Sequence, residues 1–229
     1  MRNWICEEFD LMDYRAAWEL QLKLVAERKS GSIPDTLLLL EHPPVFTLGR
    51  RGGRENLRVS ESFLETSGIP VIQIERGGNI TFHGPGQIVG YPIVNLQEAR
   101  LGVTDYVERL EEVMILTAAD FGISAGRNPI NRGVWIGDKK VGSIGIAVRR
   151  SIAFHGFALN VNISSEPFGW INPCGLQGIG VTTLKQAGSR EVSMRFARES
   201  VKRHIAEVFG VKLIMTVFQT CEVSEISQV

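Results

Sequence analysis

The sequence predicts a mixed α/β (α+β) fold, a mixed β-sheet packed with helices. Short β-branched or leucine-rich runs bounded by proline and glycine read as strands, and longer stretches with apolar residues at helical spacing read as helices. Neighbouring strand-like runs lie close enough for hairpins, which separates this pattern from an alternating βαβ chain. A length of 229 residues suits one domain with a substantial core. That domain is read as residues 1-213, with 214-229 a tail of weak periodicity.

Asp13 is the expected N-cap of a first helix that places Tyr14, Trp18, Leu22 and Val25 on its apolar side and stops at Gly31. Strands follow at Thr36 to Leu40, Val45 to Leu48, Pro70 to Ile74 and Ile88 to Val94. A second helix begins near Thr104, carries Val107, Leu110, Met114, Ala118 and Phe121 on one face, and ends at Gly122. Three successive strands are expected at Gly133 to Ile136, Lys140 to Val148 and Ile152 to Val161, the first two joined by a tight turn at Gly137-Asp138-Lys139. A last helix runs from Ser193 to Phe209 with Phe196, Val201, Ile205 and Val208 turned inward.

Composition narrows the class of function. Lysine plus arginine and aspartate plus glutamate are equal at 25 each, so there is no basic excess of the kind nucleic-acid binders show, and no nucleic-acid partner is expected. The longest aliphatic run, Leu37 to Leu40, is far too short to cross a bilayer. Three scattered cysteines, Cys6, Cys174 and Cys221, argue against a disulfide framework and for a reducing compartment. With an acidic rather than apolar N-terminus, the expected location is cytoplasmic. No Cys/His spacing suggests zinc, and no metal or other cofactor is expected. The absence of heptads or a long exposed apolar stripe suggests a monomer.

Chemistry concentrates in a few segments. Arg76-Gly-Gly-Asn-Ile-Thr-Phe-His-Gly-Pro-Gly-Gln87 packs four glycines into twelve residues. Such a stretch lets a ligand approach bare backbone, and Gly84 and Gly86 are expected to leave N–H groups free for an anion or carbonyl oxygen. It matches neither a phosphate loop nor a dinucleotide fingerprint. His83 lies in this stretch, whereas His155, in a strand, is expected to be structural. Cys174 sits in Ile171-Asn-Pro-Cys-Gly175, a turn that exposes sulfur, while Cys6 and Cys221 read as buried small hydrophobes. A cysteine nucleophile needs a base or an ammonium group beside it. Lys139 and Lys140 both stand at the entrance of a strand, and spacing does not choose between them.

Four ordered motifs now bear on the family: Arg76-Gly-Gly-x-Ile-Thr-Phe-His-Gly-Pro-Gly-Gln87, Lys140-Val-Gly-Ser-Ile-Gly145, His155-Gly-Phe-Ala-Leu-Asn160 and Pro173-Cys-Gly175. Together they resemble the octanoyl-acyl-carrier-protein:protein octanoyltransferases, or lipoyl(octanoyl) transferases, of lipoate biosynthesis. The resemblance implies the catalytic-domain fold of biotin and lipoate protein ligases and a Cys/Lys dyad at Cys174 and Lys140. It also implies a substrate pocket lined by Arg76, Gly77, Gly78, Asn79, Ile80, Thr81, Phe82 and His83, by Ser143, Ile144 and Gly145, and by Gly156, Phe157 and Ala158.

The resemblance further implies a thioester on Cys174, loaded from octanoyl-acyl carrier protein and discharged onto a lysine of lipoyl domains of 2-oxoacid dehydrogenases or of the glycine cleavage H protein. Gly142, Ser143 and Ala158 are expected to make room for the acyl tail. Arg50, Arg51, Arg54 and Arg58, with Lys139, Arg149 and Arg150, are candidates for a rim that meets acidic protein partners. Competing readings are an ATP-dependent lipoate or biotin ligase, which has no use for a thiol at 174, and a non-catalytic lipoyl-domain binder, which gives no reason for Cys174 to alkylate quickly.

Overall fold

Two β-sheets organise the chain. The computed structural model describes residues 1–129, 131–172 and 179–216. In chain order the elements are β1 (Arg2–Leu11), α1 (Tyr14–Ser30), β2 (Thr36–Glu41), β3 (Val45–Leu48), α2 (Glu61–Ser67), β4 (Val71–Gln73), β5 (Ile80–His83) and β6 (Gln87–Asn95). After them come α3 (Leu96–Ala99), α4 (Val103–Asp120), β7 (Val134–Ile136), β8 (Lys139–Arg149), β9 (Ile152–Asn160), β10 (Gly180–Val181), α5 (Leu184–Gly188), α6 (Met194–Phe209) and β11 (Val211–Met215). The large sheet has the order β10-β8-β9-β6-β2-β1-β11, with β7 also on β8, and the small sheet runs β4-β3-β5. Parallel pairs (β1 with β2 and β11, β10 with β8) coexist with antiparallel ones, which is the expected mixed sheet.

The run Leu37 to Leu40 shows why the large sheet is buried. Leu37 and Leu39 join the core beneath α4 and α6, while Leu38 and Leu40 join the core beneath α1. All four have no exposed surface, so each contributes roughly 1.5–3 kcal/mol of burial. A strand covered on both faces reads as a continuous apolar run because both sides of its two-residue period need apolar groups. The small sheet has its own core of Phe46, Phe82, Phe168 and Leu64.

The helix ends follow the expected capping. Asp13 Oδ1 accepts from Arg15 N (2.8 Å) and Ala16 N (3.1 Å), and Gly31 closes α1 at φ 79°. The buried face of α1 is nevertheless rotated from the expected one: Tyr14, Ala17, Gln21, Leu24, Val25 and Arg28 face the sheet, while Trp18 and Leu22 lie half-buried at the flank. Two polar anchors set that rotation. Gln21 Oε1 accepts from His155 N (2.9 Å), and Arg28 Nε donates to Asp35 Oδ1 (2.7 Å).

Three further differences have local causes. Phe196 was expected inside but is 59% exposed, because Ala197, Val201 and Ile205 define the face of α6 that meets α4. The N-terminal segment forms β1, with Trp4 and Cys6 buried. β11 runs to Met215 in register with Cys6, two residues past Leu213. No helix among the described residues is long and apolar enough to cross a membrane.

Candidate active site

Lys140 begins β8 and is nearly buried, at 4% exposure, whereas the neighbouring Lys139 points to solvent. The structure thus separates two lysines that spacing left equal. Lys140 Nζ donates to Asn131 Oδ1 (2.6 Å) and to the Arg132 carbonyl (2.7 Å), and lies 5.5 Å from the Trp135 ring centre. Gly133 makes room for it. Its φ of +121° suits glycine, and a Cβ there would stand 2.4 Å from Gly142 O and 2.6 Å from Lys140 Cε.

The segment that presents Asn131 is tied to α4. Buried Glu111 accepts from Gly133 N (2.9 Å), Arg127 Nε (3.1 Å) and Arg132 Nη1 (3.4 Å), and Arg127 also pairs with Glu112 (2.8 Å). A buried carboxylate with three donors is a compensated charge, and it fixes the loop that holds the lysine.

Cys174, with Pro173 and Gly175, lies outside the described residues, as does Cys221. The described chain reaches Asn172, whose N–H donates to Asn56 O (2.8 Å). It is described again from residue 179, just before Gly180 and Val181 pair with Lys139 and Lys140. Cys6 is fully buried in the core, and burial pushes its thiol up to about 12.

Beside β8 two cavities meet. The inner one, of about 50 Å³, is lined by every expected pocket residue except Gly77 and Phe82, and also by Tyr14, Val89, Tyr91 and His155. Gly77 lines the outer cleft, and Phe82 turns the other way, onto Phe46 and Phe168. Phe82 shares its side of β5 with Ile80, and both join the small sheet's core. The outer cleft, of about 940 Å³, adds Arg51, Glu111, Arg127, Asn128, Asn131 and Arg132, and the two share Gly78, Asn79, Ile144 and Gly145. Lys140 lines neither; its Nζ meets the outer cleft through Asn131 and Arg132.

The pocket's frame is a set of buried polar contacts. Arg76 Nη2 donates to Thr47 O and Thr47 Oγ1, both at 2.8 Å. His83 Nδ1 donates to Gln87 Oε1 (2.7 Å), which leaves Nε2 to accept from Thr47 Oγ1 (3.4 Å). Burial holds this imidazole well below its usual value, in keeping with the neutral tautomer. Gln87 Nε2 continues to Asn160 Oδ1 (2.9 Å), and Asn160 Nδ2 to Thr182 O (3.1 Å), while Thr182 N returns to Lys140 O (3.0 Å). His83 is therefore joined to the Lys140 strand by a chain of hydrogen bonds.

Two sequence readings change here. Gly142 does not open the pocket: a Cβ there would meet Met114 Sδ of α4 at 2.6 Å. Gly86 does not offer a free N–H, because that group donates to Glu41 Oε2 (2.7 Å), and Gly86 O accepts from Val161, Asn162 and Ile163. The Gly84 to Gly86 turn is a lock between β5 and β9. Asn131, Glu111, Tyr14 and Tyr91 escaped the sequence reading, since their roles arise from loops and faces that only the fold brings together; the one local hint was Gly133 beside Asn131. Among the described residues no group of His, Cys, Asp or Glu side chains is placed to hold a metal ion.

Fold and site together define a lipoyl-ligase type of catalytic domain, and residues 13–206 match the family model described as "Lipoyl protein ligase A/B catalytic domain". The chain belongs to that family. It is 50% identical over 204 residues to an octanoyltransferase of Desulfotalea psychrophila, covering 86% of this chain and 90% of that one. It is 46% identical to an octanoyltransferase of Syntrophobacter fumaroxidans, with 87% of each covered. These relatives are acyltransferases by name, as the four motifs led one to expect. Among solved structures it is similar to a bipartite lipoate protein ligase of Thermoplasma acidophilum (TM-score 0.76, 14% identity, 96% of this chain and 89% of that chain). A biotin protein ligase of Aquifex aeolicus follows at TM-score 0.52 and 13% identity, with 92% and 71% covered. At such identities the structural likeness concerns the fold.

Proposed function

We propose that this chain transfers an octanoyl group from octanoyl-acyl carrier protein, through a thioester on Cys174, to the ε-amine of a lysine on lipoyl domains, with Lys140 as the partner of the thiol. The observation that carries the reading is the held position of Lys140: a nearly buried amine fixed by two acceptors beside a narrow pocket. The octanoyltransferase relatives support the acyl group and the reaction class.

The charge of Lys140 favours the Cys174 thiolate. The thiolate attacks the thioester carbonyl, the carrier's C–S bond breaks, and the carrier thiol leaves with the proton that the Lys140 ammonium gives up. The acceptor amine then attacks the acyl-enzyme, an amide forms, the Cys174 C–S bond breaks, and neutral Lys140 takes the amine's proton. A thioester exchanges for a thioester and then for a more stable amide, so no nucleotide and no cofactor is consumed. Lipoyl domains of 2-oxoacid dehydrogenases and the glycine cleavage H protein are the acceptors we assign, with a cytoplasmic monomer as the working species.

The test is transfer of octanoate from its acyl carrier protein thioester to a purified lipoyl domain without ATP, read by the acceptor's mass. Transfer that needs no nucleotide upholds the reading. Transfer seen only with ATP and free octanoate overturns it in favour of a ligase.

A further inference from the structure

The inner end of the acyl pocket is not apolar. His155 lines it with 1% of its surface exposed, and neither ring nitrogen has a hydrogen-bond partner among the described residues. Nor does Glu75 Oε2, which faces His155 Nε2 at 3.7 Å, beyond hydrogen-bond range. Glu75 Oε1, by contrast, accepts from Trp18 Nε1 (3.3 Å) and lies 3.6 Å from Arg149. One oxygen is thus anchored and the other turned toward the imidazole.

The backbone puts His155 there deliberately. Consecutive residues of a strand point to opposite faces, yet the Phe154 and His155 rings stack on each other, 4.8 Å apart and 27° from parallel. The cause is the φ of +55° at His155, a left-handed conformation that is costly for a residue with a Cβ. It swings the imidazole onto the face of Tyr91 and the α1 core, and into the pocket. A strained backbone that delivers an unpartnered buried polar side chain to a cavity marks a ligand-facing position.

Resting on the function proposed above, we infer that His155, backed by Glu75, forms a polar floor to the acyl pocket and sets the longest chain it accepts. From the Lys140 end of β8 the walls run through the Ser143 and Ala158 pair, then the Gly145 and Gly156 pair, and reach His155. Ala158 to His155 is three strand residues, about 10 Å, which is the reach of an extended eight-carbon chain. The sides over that depth include Val89, Ile80, Ile144 and Phe157. A longer chain would press methylenes onto the imidazole nitrogens, covering polar atoms without pairing them. The limit on length thus comes from exclusion by a polar surface as well as from space, and each two-carbon extension past eight loses about tenfold or more in kcat/KM.

The experiment compares octanoyl and dodecanoyl carrier thioesters in transfer, and octanoate and dodecanoate in calorimetric binding, for the wild type, His155→Gly and Glu75→Leu. Glycine tolerates the positive φ and removes the ring, so His155→Gly should reduce the eight-over-twelve preference by about tenfold or more. Glu75→Leu should reduce it less, in the same direction. An unchanged ratio in a folded His155→Gly overturns the inference, since a merely structural role would lower both lengths together; if that variant does not fold, an unchanged ratio in Glu75→Leu overturns it. A wild type that binds octanoate best but transfers it only with ATP refutes the transfer chemistry and leaves the floor standing. A wild type that neither binds nor transfers any acyl chain removes both.

Discussion

Lys140 and His155 stand on adjacent strands of one sheet, both nearly buried and both ionisable, and the protein treats them in opposite ways. Among the described residues Lys140 Nζ has two oxygen acceptors, supplied by a loop that Glu111 ties to α4, and the aromatic face of Trp135 in β7. His155 has aromatic neighbours but no acceptors or donors: its ring nitrogens have no hydrogen-bond partner among the described residues, and burial holds it below its ordinary value. A group that carries charge within the protein must be given partners by the protein. A neutral group left without them is one whose surroundings are completed, or deliberately left incomplete, by what enters the pocket.

The contrast can be broken first at its saturated end. Lys140→Ala should lower the transfer rate by about a thousandfold or more, and a loss of less than tenfold would remove the lysine from the chemistry. Asn131→Ala removes from Lys140 a charge-assisted hydrogen bond of about 2 kcal/mol, so kcat should fall about thirtyfold with KM little changed. The alkylation profile of Cys174 should move to higher pH in the same variant. An unmoved profile would make Asn131 a loop-holding residue only.

Acid stability sharpens the other end. Burial lowers His42 to about 4 and pushes His83 and His155 down as well. Below about 6.5 the unfolded chain takes up protons on these imidazoles that the folded chain refuses, so stability falls as pH falls. His42 alone accounts for about 2 kcal/mol between pH 6.5 and 5. Urea midpoints measured at pH 7 and 5 check the sign, and equal midpoints would mean that the imidazoles are charged in the folded state.

Much of this fold was legible because local and global preferences agree. The Asp13 cap, the Gly31 stop, the start of the last helix at Ser193 and the Gly137-Asp138 turn sit where the sequence placed them. β1 was missed because Glu7 and Glu8 interrupt its apolar character; Glu8 pairs with Arg198 and Lys202 of α6, and Glu7 is buried. β5 was hidden within the glycine-rich stretch from Arg76 to Gln87, whose outer glycines form turns around a regular strand.

Legibility of the site was uneven for a related reason. Glycine-rich motifs announced the pocket walls, because close backbone approach restricts residue choice: a Cβ on Gly145 would stand 2.8 Å from Arg76 Cδ, and one on Gly156 would strike Gly90 O. The partners of Lys140 gave no such signal, since Asn131 and the Arg132 carbonyl depend on a loop path and not on a spacing. His155 looked structural because a histidine in a strand usually is. Only its positive φ shows that it leaves the strand's alternation.

The most direct test of the central claim is intact-protein mass after incubation with octanoyl-acyl carrier protein in the absence of ATP, for the wild type, Cys174→Ala and Lys140→Ala. A hydroxylamine-labile octanoyl adduct on the wild type, absent from Cys174→Ala and formed at least about a hundredfold more slowly in Lys140→Ala, is the expected result. Cys6 should stay unmodified throughout, since its buried thiol is held up at about 12. Octanoyl transfer at full rate by Cys174→Ala, with no adduct on any variant, would contradict the covalent mechanism.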